Sequence, residues 1–247
     1  MPTERNYDLE AQDNEVRQYA YEFDWIIRDA LLRRWAPFVR NGAALEVGAF
    51  EGAMTAQILE HVDALTILEP ASGLSAKLQE RFADRVEIRT ERLEDATFPA
   101  EFETIFLVHT LEHLDDPVDA LRRLGAWLKP RGRLLVAVPN ALALSRQIAV
   151  RMGLIEFNCA VTEGEWAHGH RRTYTRDALR RDVLDAGLEL RESGGVIVKP
   201  LANSQFDSAL ASGIISRDYV EACESLADTF PDLTASIFAV CGRSPDV

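Results

Sequence analysis

One stretch that contains an acid and two glycines, Leu45-Glu46-Val47-Gly48-Ala49-Phe50-Glu51-Gly52, is the first place in this sequence where ligand chemistry is expected. An apolar run precedes it and a helical pattern follows it, as in the first half of a βαβ nucleotide-binding unit. Glycine lets the backbone approach a ligand where a Cβ would collide. The free N–H groups at the start of the helix favour a carboxylate or phosphate, so the stretch predicts an anionic or nucleotide ligand.

Glu69 is the second acidic residue placed to bind a ligand. It ends the next apolar run about 20 residues beyond the glycines, where the dinucleotide-binding fingerprint has its ribose-binding acid. A carboxylate there accepts hydrogen bonds from both ribose hydroxyls. The fingerprint G-x-G-x-x-G is incomplete because Phe50 replaces the middle glycine, so the stretch by itself also fits a plain strand-to-helix connection.

Side chains able to accept a proton occur in two further segments. His109 and His113 follow an apolar run, and His168, His170 and Tyr174 lie in a later irregular segment. A hydroxyl that attacks an electrophile needs a base to take its proton. We favour Tyr174 and His170 for this role, because the irregular segment is expected to close the site.

Arg171 and Arg172 form a basic pair within the same irregular segment. Two guanidinium groups can hold a carboxylate or phosphate bidentately, so the pair predicts a substrate clamp. Ion pairing with Glu163, Glu165 or Asp177 is the structural alternative.

Composition and charge limit the classes of partner. The 247 residues carry a net charge of −13, so no basic stripe is available for nucleic acid. The N-terminus is polar and no apolar run reaches the length of a membrane span, which predicts a cytoplasmic protein with no membrane partner. A disulfide framework is not expected from three scattered cysteines, Cys159, Cys223 and Cys241.

The periodicity predicts a helical N-terminal region and then alternating strands and helices over residues 43–138. Such alternation implies an α/β fold with a parallel sheet covered on both faces. The carboxyl ends of parallel strands share one edge, where ligands bind. That edge is expected to hold five residues that end predicted strands or follow them, Glu46, Glu69, Thr90, His109 and Asn140.

The remainder of the chain is less regular. We predict a helix over 141–152, an irregular segment over 153–172, a helix over 176–186 between Thr175 and Gly187, a strand over 188–198 interrupted at Gly194-Gly195, one or two helices over 201–227, and a final strand over 235–241. This divides the chain into a helical cap or lid over 1–40 and a ligand-binding domain over 41–247, with a lid insertion at about 141–175.

Several motifs together resemble the class I S-adenosylmethionine (SAM) dependent methyltransferases. The glycine stretch resembles the family's first motif, and Ile67-Leu68-Glu69-Pro70 its ribose-binding strand end. His109-Thr110-Leu111-Glu112-His113 resembles the segment after its fourth strand, and Leu128-Lys129-Pro130-Arg131-Gly132 the turn before its fifth. The resemblance implies SAM as cofactor and a Rossmann-like, mostly parallel sheet whose last strand is antiparallel. A nicotinamide-dependent dehydrogenase, the competing interpretation, lacks the histidine segment and this turn.

The resemblance also implies roles for individual residues. The expected cofactor-binding residues are Glu46, Gly48, Ala49, Phe50, Gly52, Glu69, Pro70, Leu93, Glu94 and His109. We add Tyr174, His170 and Asn140 as catalytic candidates and Tyr19, Arg171 and Arg172 as substrate-binding candidates. His109 and His113 have the spacing of a helical metal pair that His168 and His170 would complete. No metal is expected, because the resemblance already accounts for the first pair.

Three functions remain open at this stage. The first is methyl transfer to a small acceptor, such as a sugar or amino-acid derivative of secondary or surface-polysaccharide metabolism. The second is cyclisation of SAM to azetidine-2-carboxylate with release of methylthioadenosine, which an aromatic-rich cap would suit. The third is a non-catalytic SAM-binding module. A homodimer is also left open.

Overall fold

A computed structural model describes residues 5–12 and 20–244 of the chain. Its seven described strands form one sheet in the order β3-β2-β1-β4-β5-β7-β6. The strands are β1 (Ala43–Val47), β2 (Ala64–Leu68), β3 (Glu87–Arg89), β4 (Phe102–Val108), β5 (Leu128–Pro139), β6 (Leu188–Val198) and β7 (Thr234–Arg243). Strands β1 to β5 pair in parallel, whereas β7 pairs antiparallel with both β5 and β6. The predicted Rossmann-like sheet with an antiparallel last strand is confirmed.

Helices cover both faces of this sheet. They are α1 (Tyr7–Glu10), α2 (Glu22–Trp35), α3 (Ala53–Ile58), α4 (Ser72–Phe82), α5 (Pro117–Trp127), α6 (Leu144–Arg151), α7 (Glu163–Ala167), α8 (Arg176–Asp185), α9 (Asn203–Ala211) and α10 (Arg217–Ser225). Within the described ranges, no helix is both long and apolar enough to cross a membrane.

The apolar side chains that recur along α2 form its packing face. Phe23, Ile27, Leu31 and Trp35 are all buried, and the Trp35 ring meets Phe238 of β7 edge-on at a centroid distance of 6.1 Å. Burying side chains of this size stabilises the fold by roughly 1.5–3 kcal/mol each. Helix α2 is therefore fixed against the sheet beside the carboxyl ends of its strands.

Strand β6 differs from its prediction. It runs without interruption through Gly194 and Gly195, which pair with Phe238 and Ile237 of β7. A Cβ at Gly194 would lie 2.9 Å from the Phe238 ring, and one at Gly195 would collide with Thr234. The predicted interruption was wrong, because these glycines admit neighbouring side chains rather than break the strand.

Helix α8 shows how closely local signals can fix an element. Thr175 Oγ1 accepts a hydrogen bond from the Ala178 amide, as expected of an N-cap, and Gly187 follows the helix at φ +77°.

Strand β5 begins earlier than predicted, at Leu128, and includes the turn that was predicted to precede it. Pairing of Leu128 with Phe102 of β4 explains the early start.

Candidate functional site

A cleft opens at the carboxyl ends of β1, β2 and β4, the edge at which ligands were expected. Its volume, counted with the space that is open to solvent, is about 810 Å³. We call it the nucleotide cleft; its lining includes Arg5, Tyr7, Glu10, Arg28, Gly48, Phe50, Glu69, Pro70, Leu93, Glu94, His109, Thr110, His113 and His168. Seven of the ten residues expected to bind the cofactor thus lie in its wall.

The loop after β1 holds the backbone of this cleft in a left-handed conformation at three positions. Gly48 and Gly52 both have φ +76°, and Phe50 has φ +52°. A Cβ at Gly48 would lie 2.5 Å from Thr110 Oγ1. Phe50 therefore adopts the backbone conformation that a glycine would provide, which resolves the departure from the family motif without moving the loop.

The left-handed conformation at Phe50 predicts an order of stability for two substitutions of similar size. Asn tolerates this conformation, whereas a β-branched residue is a true outlier there. Phe50→Val is expected to have a free energy of unfolding about 1–2 kcal/mol below that of Phe50→Asn, measured by urea denaturation. Equal stabilities would show that the loop does not require the left-handed conformation.

Glu69 lies at the carboxyl end of β2 and connects the loop after β1 with the segment after β2 by hydrogen bonds. Its carboxylate accepts hydrogen bonds from the Phe50 amide at 3.2 Å and the Ala71 amide at 3.1 Å. The side chain is only 5% exposed, and this burial raises its pKa to about 7. An acid with two oxygens at the cleft wall is suited to accept the hydroxyl protons of a ribose.

Glu46, Ala49 and Gly52 do not line the cleft. Glu46 is buried behind the loop, where Thr55 Oγ1 of α3 donates a hydrogen bond to it at 2.6 Å, and burial raises its pKa to about 7. Gly52 precedes α3 and faces Phe82 of α4. Cofactor contact at these three positions stays a prediction, and in the structure they shape the loop from behind.

The N-terminal residues 5–12, which fall in the segment 1–40 that we predicted to be a cap or lid, line one side of the cleft. Arg5 Nη1 donates to the His113 carbonyl at 2.6 Å, and Asp8 Oδ1 accepts from the Gly73 amide at 2.8 Å. That hydrogen bond lowers the pKa of Asp8. The sequence did not predict these individual contacts, because the segment is short and polar with mixed charges. The Tyr19 prediction lies outside the described residues.

A second space, which we call the acceptor cavity, adjoins the nucleotide cleft and has a volume of about 960 Å³. Its lining includes Asp24, Arg28, His109, Glu112, His113, Asn140, Arg146, Glu165, His168, His170, Lys199, Asn203 and Ser236. Four of these residues, Arg28, His109, His113 and His168, also line the nucleotide cleft. The two spaces therefore meet at a boundary made of three imidazoles and a guanidinium.

His109 and His113 approach this boundary from the end of β4. His109 Nε2 lies 2.9 Å from Ser236 Oγ, and its backbone has φ +51°. Burial, together with nearby His170 and several arginines, lowers the pKa of His113 well below its usual value. His113 is therefore neutral at pH 7 and able to accept a proton.

Lys199 and Arg146 are site residues that sequence reasoning missed. Lys199 follows β6, is buried, and donates to the Leu201 carbonyl at 2.5 Å; burial lowers its pKa to about 8. Arg146 of α6 pairs with Glu165 at 2.7 Å. A charged residue directly after an apolar strand was the available signal for Lys199, as it was for Glu69.

Tyr174 was predicted as a catalytic base, and the structure contradicts this. Its side chain is 1% exposed and its hydroxyl donates to Asp182 of α8 at 3.0 Å, away from both the cleft and the cavity. Burial and the nearby Asp182 carboxylate raise the pKa of Tyr174, so the phenol stays protonated at neutral pH and no phenolate is available as a base. Tyr174 joins α8 to the end of β5 through its backbone contact with Ala141.

Removing the Tyr174 hydroxyl is therefore expected to affect stability rather than turnover. Tyr174→Phe leaves the buried Asp182 carboxylate without its donor and should lower the free energy of unfolding by about 1–3 kcal/mol. Urea denaturation measures this, with Tyr219→Phe on the exposed face of α10 as control. Lost turnover at unchanged stability would restore Tyr174 to the catalytic machinery.

Asn140 lines the acceptor cavity, but its amide is committed to the backbone. Its Nδ2 donates to the carbonyls of Asp232 and Thr234 at 2.9 and 2.8 Å, and its Oδ1 accepts from the Leu142 amide. Both amide N–H groups are used in this way. The predicted catalytic role was wrong, and Asn140 instead fixes the turn that follows β5.

The predicted clamp of Arg171 and Arg172 also serves structure. Arg172 donates to the carbonyls of Leu114 and Asp115, and Arg171 pairs with Glu10 at 3.6 Å and Asp115 at 3.8 Å. Neither arginine lines the nucleotide cleft or the acceptor cavity. Ion pairing, the structural alternative, holds for Arg171 with different acids from those considered, whereas Arg172 is engaged by backbone carbonyls.

A strand-ending acid, a left-handed loop and a cleft at the edge of a mostly parallel sheet are the features of a nucleotide-binding site of the Rossmann-like class. The chain belongs to the methyltransferase-domain family of class I SAM-dependent methyltransferases, since the family model described as a methyltransferase domain matches residues 17–193.

Known proteins similar to this chain agree with that assignment. A ubiquinone biosynthesis O-methyltransferase of Xanthomonas euvesicatoria pv. vesicatoria (strain 85-10) is 27% identical over 121 residues, covering 48% of this chain and 49% of that protein. The corresponding protein of Aeromonas salmonicida (strain A449) is 28% identical over 42% of this chain and 43% of its own length. The chain thus matches about half or less of the length of these curated relatives.

A solved structure with the same fold is an S-adenosylmethionine dependent methyltransferase from Mesorhizobium loti. It has a TM-score of 0.60 at 12% identity and covers 86% of this chain and 95% of its own. The Burkholderia thailandensis 1,6-didemethyltoxoflavin-N1-methyltransferase, solved with S-adenosylhomocysteine, has a TM-score of 0.57 at 17% identity. The match covers 88% of this chain and 78% of that protein. At these sequence identities, the structural similarity shows that this chain shares the fold of the two proteins.

Proposed function

We propose that this protein transfers the methyl group of SAM to a hydroxyl of a small polar acceptor. The observation that carries the proposal is the junction of the nucleotide cleft with the acceptor cavity at His109, His113 and His168. A methyl donor bound in the first space would present its sulfonium at the opening to the second. Two reactants held in this way meet without further loss of translational freedom.

The binding of SAM would use the cleft residues whose positions fit its parts. Glu69 would accept the ribose hydroxyls, and Leu93 and Glu94 would flank the adenine. The loop at Gly48 and Phe50 would pass close to the methionine half. The Burkholderia thailandensis methyltransferase, solved with S-adenosylhomocysteine, supports SAM as the ligand of this fold.

The chemistry at the junction would need one proton acceptor. In methyl transfer the acceptor oxygen forms a bond to the methyl carbon while the carbon–sulfur bond breaks, which leaves S-adenosylhomocysteine. The hydroxyl proton would go to His113, which is neutral at pH 7, with His170 packed against it at a ring-centroid distance of 4.5 Å. A base of this kind contributes about 10²–10⁴-fold to rate.

The acceptor cavity supports a polar acceptor. Charged and amide side chains reach it from three sides, among them Asp24, Arg28, Lys199 and Asn203. Such a lining suits a sugar or amino-acid derivative that carries hydroxyl, amine or carboxylate groups, as in secondary or surface-polysaccharide metabolism. The name of the curated relatives, which are O-methyltransferases, supports oxygen as the attacking atom.

The test is mass spectrometry of the protein with SAM, first alone and then with a panel of sugar and amino-acid acceptors. We expect SAM to stay intact alone and to yield S-adenosylhomocysteine and a methylated product with an acceptor. His113→Asn should then lower kcat by at least about 100-fold with the Kd for SAM unchanged. Methylthioadenosine and azetidine-2-carboxylate from SAM alone would replace this proposal with a cyclase. Binding of SAM with no product from any acceptor would indicate a non-catalytic module.

A further inference from the structure

Glu112 is a buried acid without a visible partner at the wall of the acceptor cavity. It lies in the 3-10 turn Leu111–His113 after β4, and it is 1% exposed. Neither of its carboxylate oxygens has a hydrogen-bond partner among the described residues. Buried polar groups are nearly always satisfied, because leaving a carboxylate unpaired away from water is costly. Such a residue therefore points to a ligand that the protein alone does not supply.

Two imidazoles stand next to this carboxylate. His113 adjoins Glu112 in the turn, and His170 reaches the same place from the loop after α7, held by a hydrogen bond from its amide to the Glu165 carbonyl at 3.0 Å. The two rings meet at an interplanar angle of 66°. One ligand atom from each of Glu112, His113 and His170 lies within 4.8 Å of the others. Three donors from two separate elements thus converge on one point.

We propose that Glu112, His113 and His170 bind a divalent transition-metal ion of the Zn²⁺ type. Two imidazole nitrogens and one carboxylate oxygen form a donor set that suits such ions rather than Mg²⁺ or Ca²⁺, which prefer oxygen alone. Bonds of about 2.0–2.2 Å bring ligand atoms to roughly 3–4 Å of each other, so small side-chain rotations would close the site. The sequence-based expectation of no metal considered histidines only and did not include the acid between them.

The charges around the site are compatible with a cation. Arg146 is neutralised by Glu165 at 2.7 Å, and Arg171 faces the acids Glu10 and Asp115. The carboxylate of Glu112 itself would offset part of the ion's charge. These two guanidinium groups are therefore paired with acids rather than directed at the proposed metal.

The position of the site indicates what the metal would do. All three ligands line the acceptor cavity, and His113 also lines the nucleotide cleft. Three protein ligands leave one coordination position open, as in catalytic rather than structural zinc sites. This part rests on the proposed function: an acceptor hydroxyl bound at the open position would lose its proton more readily, since a metal lowers the pKa of oxygen ligands. With the metal bound, His113 would orient the acceptor as a ligand and the proton would pass to water in the cavity, whereas in the metal-free protein His113 would take the proton itself.

The experiment is metal binding by the full chain after chelator treatment and dialysis. Titration with Zn²⁺ in a calorimeter is expected to show one ion per chain. Glu112→Gln and His170→Ala should each raise the Kd by more than about 100-fold, since even residues that only support a ligand change affinity by about 10–100-fold. His61→Ala, at an exposed histidine remote from the site, is the matched control and should leave the Kd unchanged.

A second measurement uses only the wild-type protein, so its result does not depend on whether the variants fold. X-ray absorption of the Zn²⁺-loaded wild type should show nitrogen and oxygen ligands, with the multiple-scattering pattern of two imidazoles. Absence of stoichiometric binding, sulfur ligands, or an unchanged Kd in both site variants would overturn the proposal. Neither readout depends on turnover, so a protein that binds Zn²⁺ but methylates no acceptor would refute the function and keep the site.

Discussion

Glu69→Ala is expected to raise the Kd for SAM by at least about 100-fold, because two hydrogen bonds to a charged group, worth roughly 1.5–3 kcal/mol each, are lost. The carboxylate is buried at the cleft wall and also receives the Phe50 amide, so the substitution removes a ribose partner and loosens the loop. Isothermal titration with SAM measures the change. Glu51→Ala is the control, since Glu51 belongs to the same loop but is exposed and pairs with Lys77. Unchanged affinity in Glu69→Ala would remove the ribose assignment.

The raised pKa of Glu69 gives this prediction a pH dependence. With the pKa at about 7 in the unliganded protein, the carboxylate is largely protonated at pH 6 and ionised at pH 8. Ribose hydroxyls donate to the ionised form, so affinity for SAM should rise with pH across this window, by roughly tenfold for each unit below the pKa. The difference between wild type and Glu69→Gln isolates the effect from titration of SAM. If the Kd for SAM changed with pH in the same way in wild type and Glu69→Gln, the titrating group would not be Glu69.

The raised pKa that makes SAM affinity increase with pH should make the stability of the unliganded protein decrease with pH. Because burial raises the folded-state pKa values of Glu46 and Glu69 above those of the unfolded chain, the folded protein holds these protons more tightly. Their contribution to the unfolding free energy is complete below about pH 4.5 and is lost as pH rises through 7. The unliganded protein should therefore lose this contribution over the range in which SAM binding improves.

Gly48→Ala is expected to raise the Kd for SAM by at least about tenfold, through strain of about 1–3 kcal/mol at a left-handed position and through a collision. The new Cβ would lie 2.5 Å from Thr110 Oγ1, which itself donates to the carbonyls of Val47 and Val108. The loop would have to move away from Thr110 in the free protein and return on binding, so the cost appears in the Kd.

The matched control for this prediction is Gly153→Ala. Gly153 has nearly the same backbone conformation, φ +74°, but nothing lies within 4 Å of a Cβ built there. Gly153→Ala should therefore carry the backbone strain, visible in urea denaturation, without a change in SAM affinity. If both variants bind SAM equally well, the close approach at Gly48 is not required for the site.

The sheet and its ligand-binding edge followed from the sequence because they depend on local patterns. Apolar runs that alternate with helical periodicity predict parallel strands, and the acid after β2 falls at a strand end wherever the helices pack. Glu69 therefore lined the cleft as predicted, and Phe50 did so despite breaking the motif. The backbone at that position is left-handed, a conformation that glycine adopts readily and that Phe50 provides at φ +52°.

The directions of side chains after strand β5 did not follow from the sequence. Tyr174, Asn140, Arg171 and Arg172 have residue types that suit catalysis or binding, yet packing against α8, β7 and the turn after β4 engages their polar groups. Composition cannot show which partner a polar group finds, since that partner lies far away in sequence and is chosen by burial. The same long-range packing brought His170 next to Glu112 and His113, and placed residues 5–12 over the cleft. Local periodicity thus determined at which edge of the sheet the cleft lies, and tertiary contacts decided which of the side chains after β5 face it.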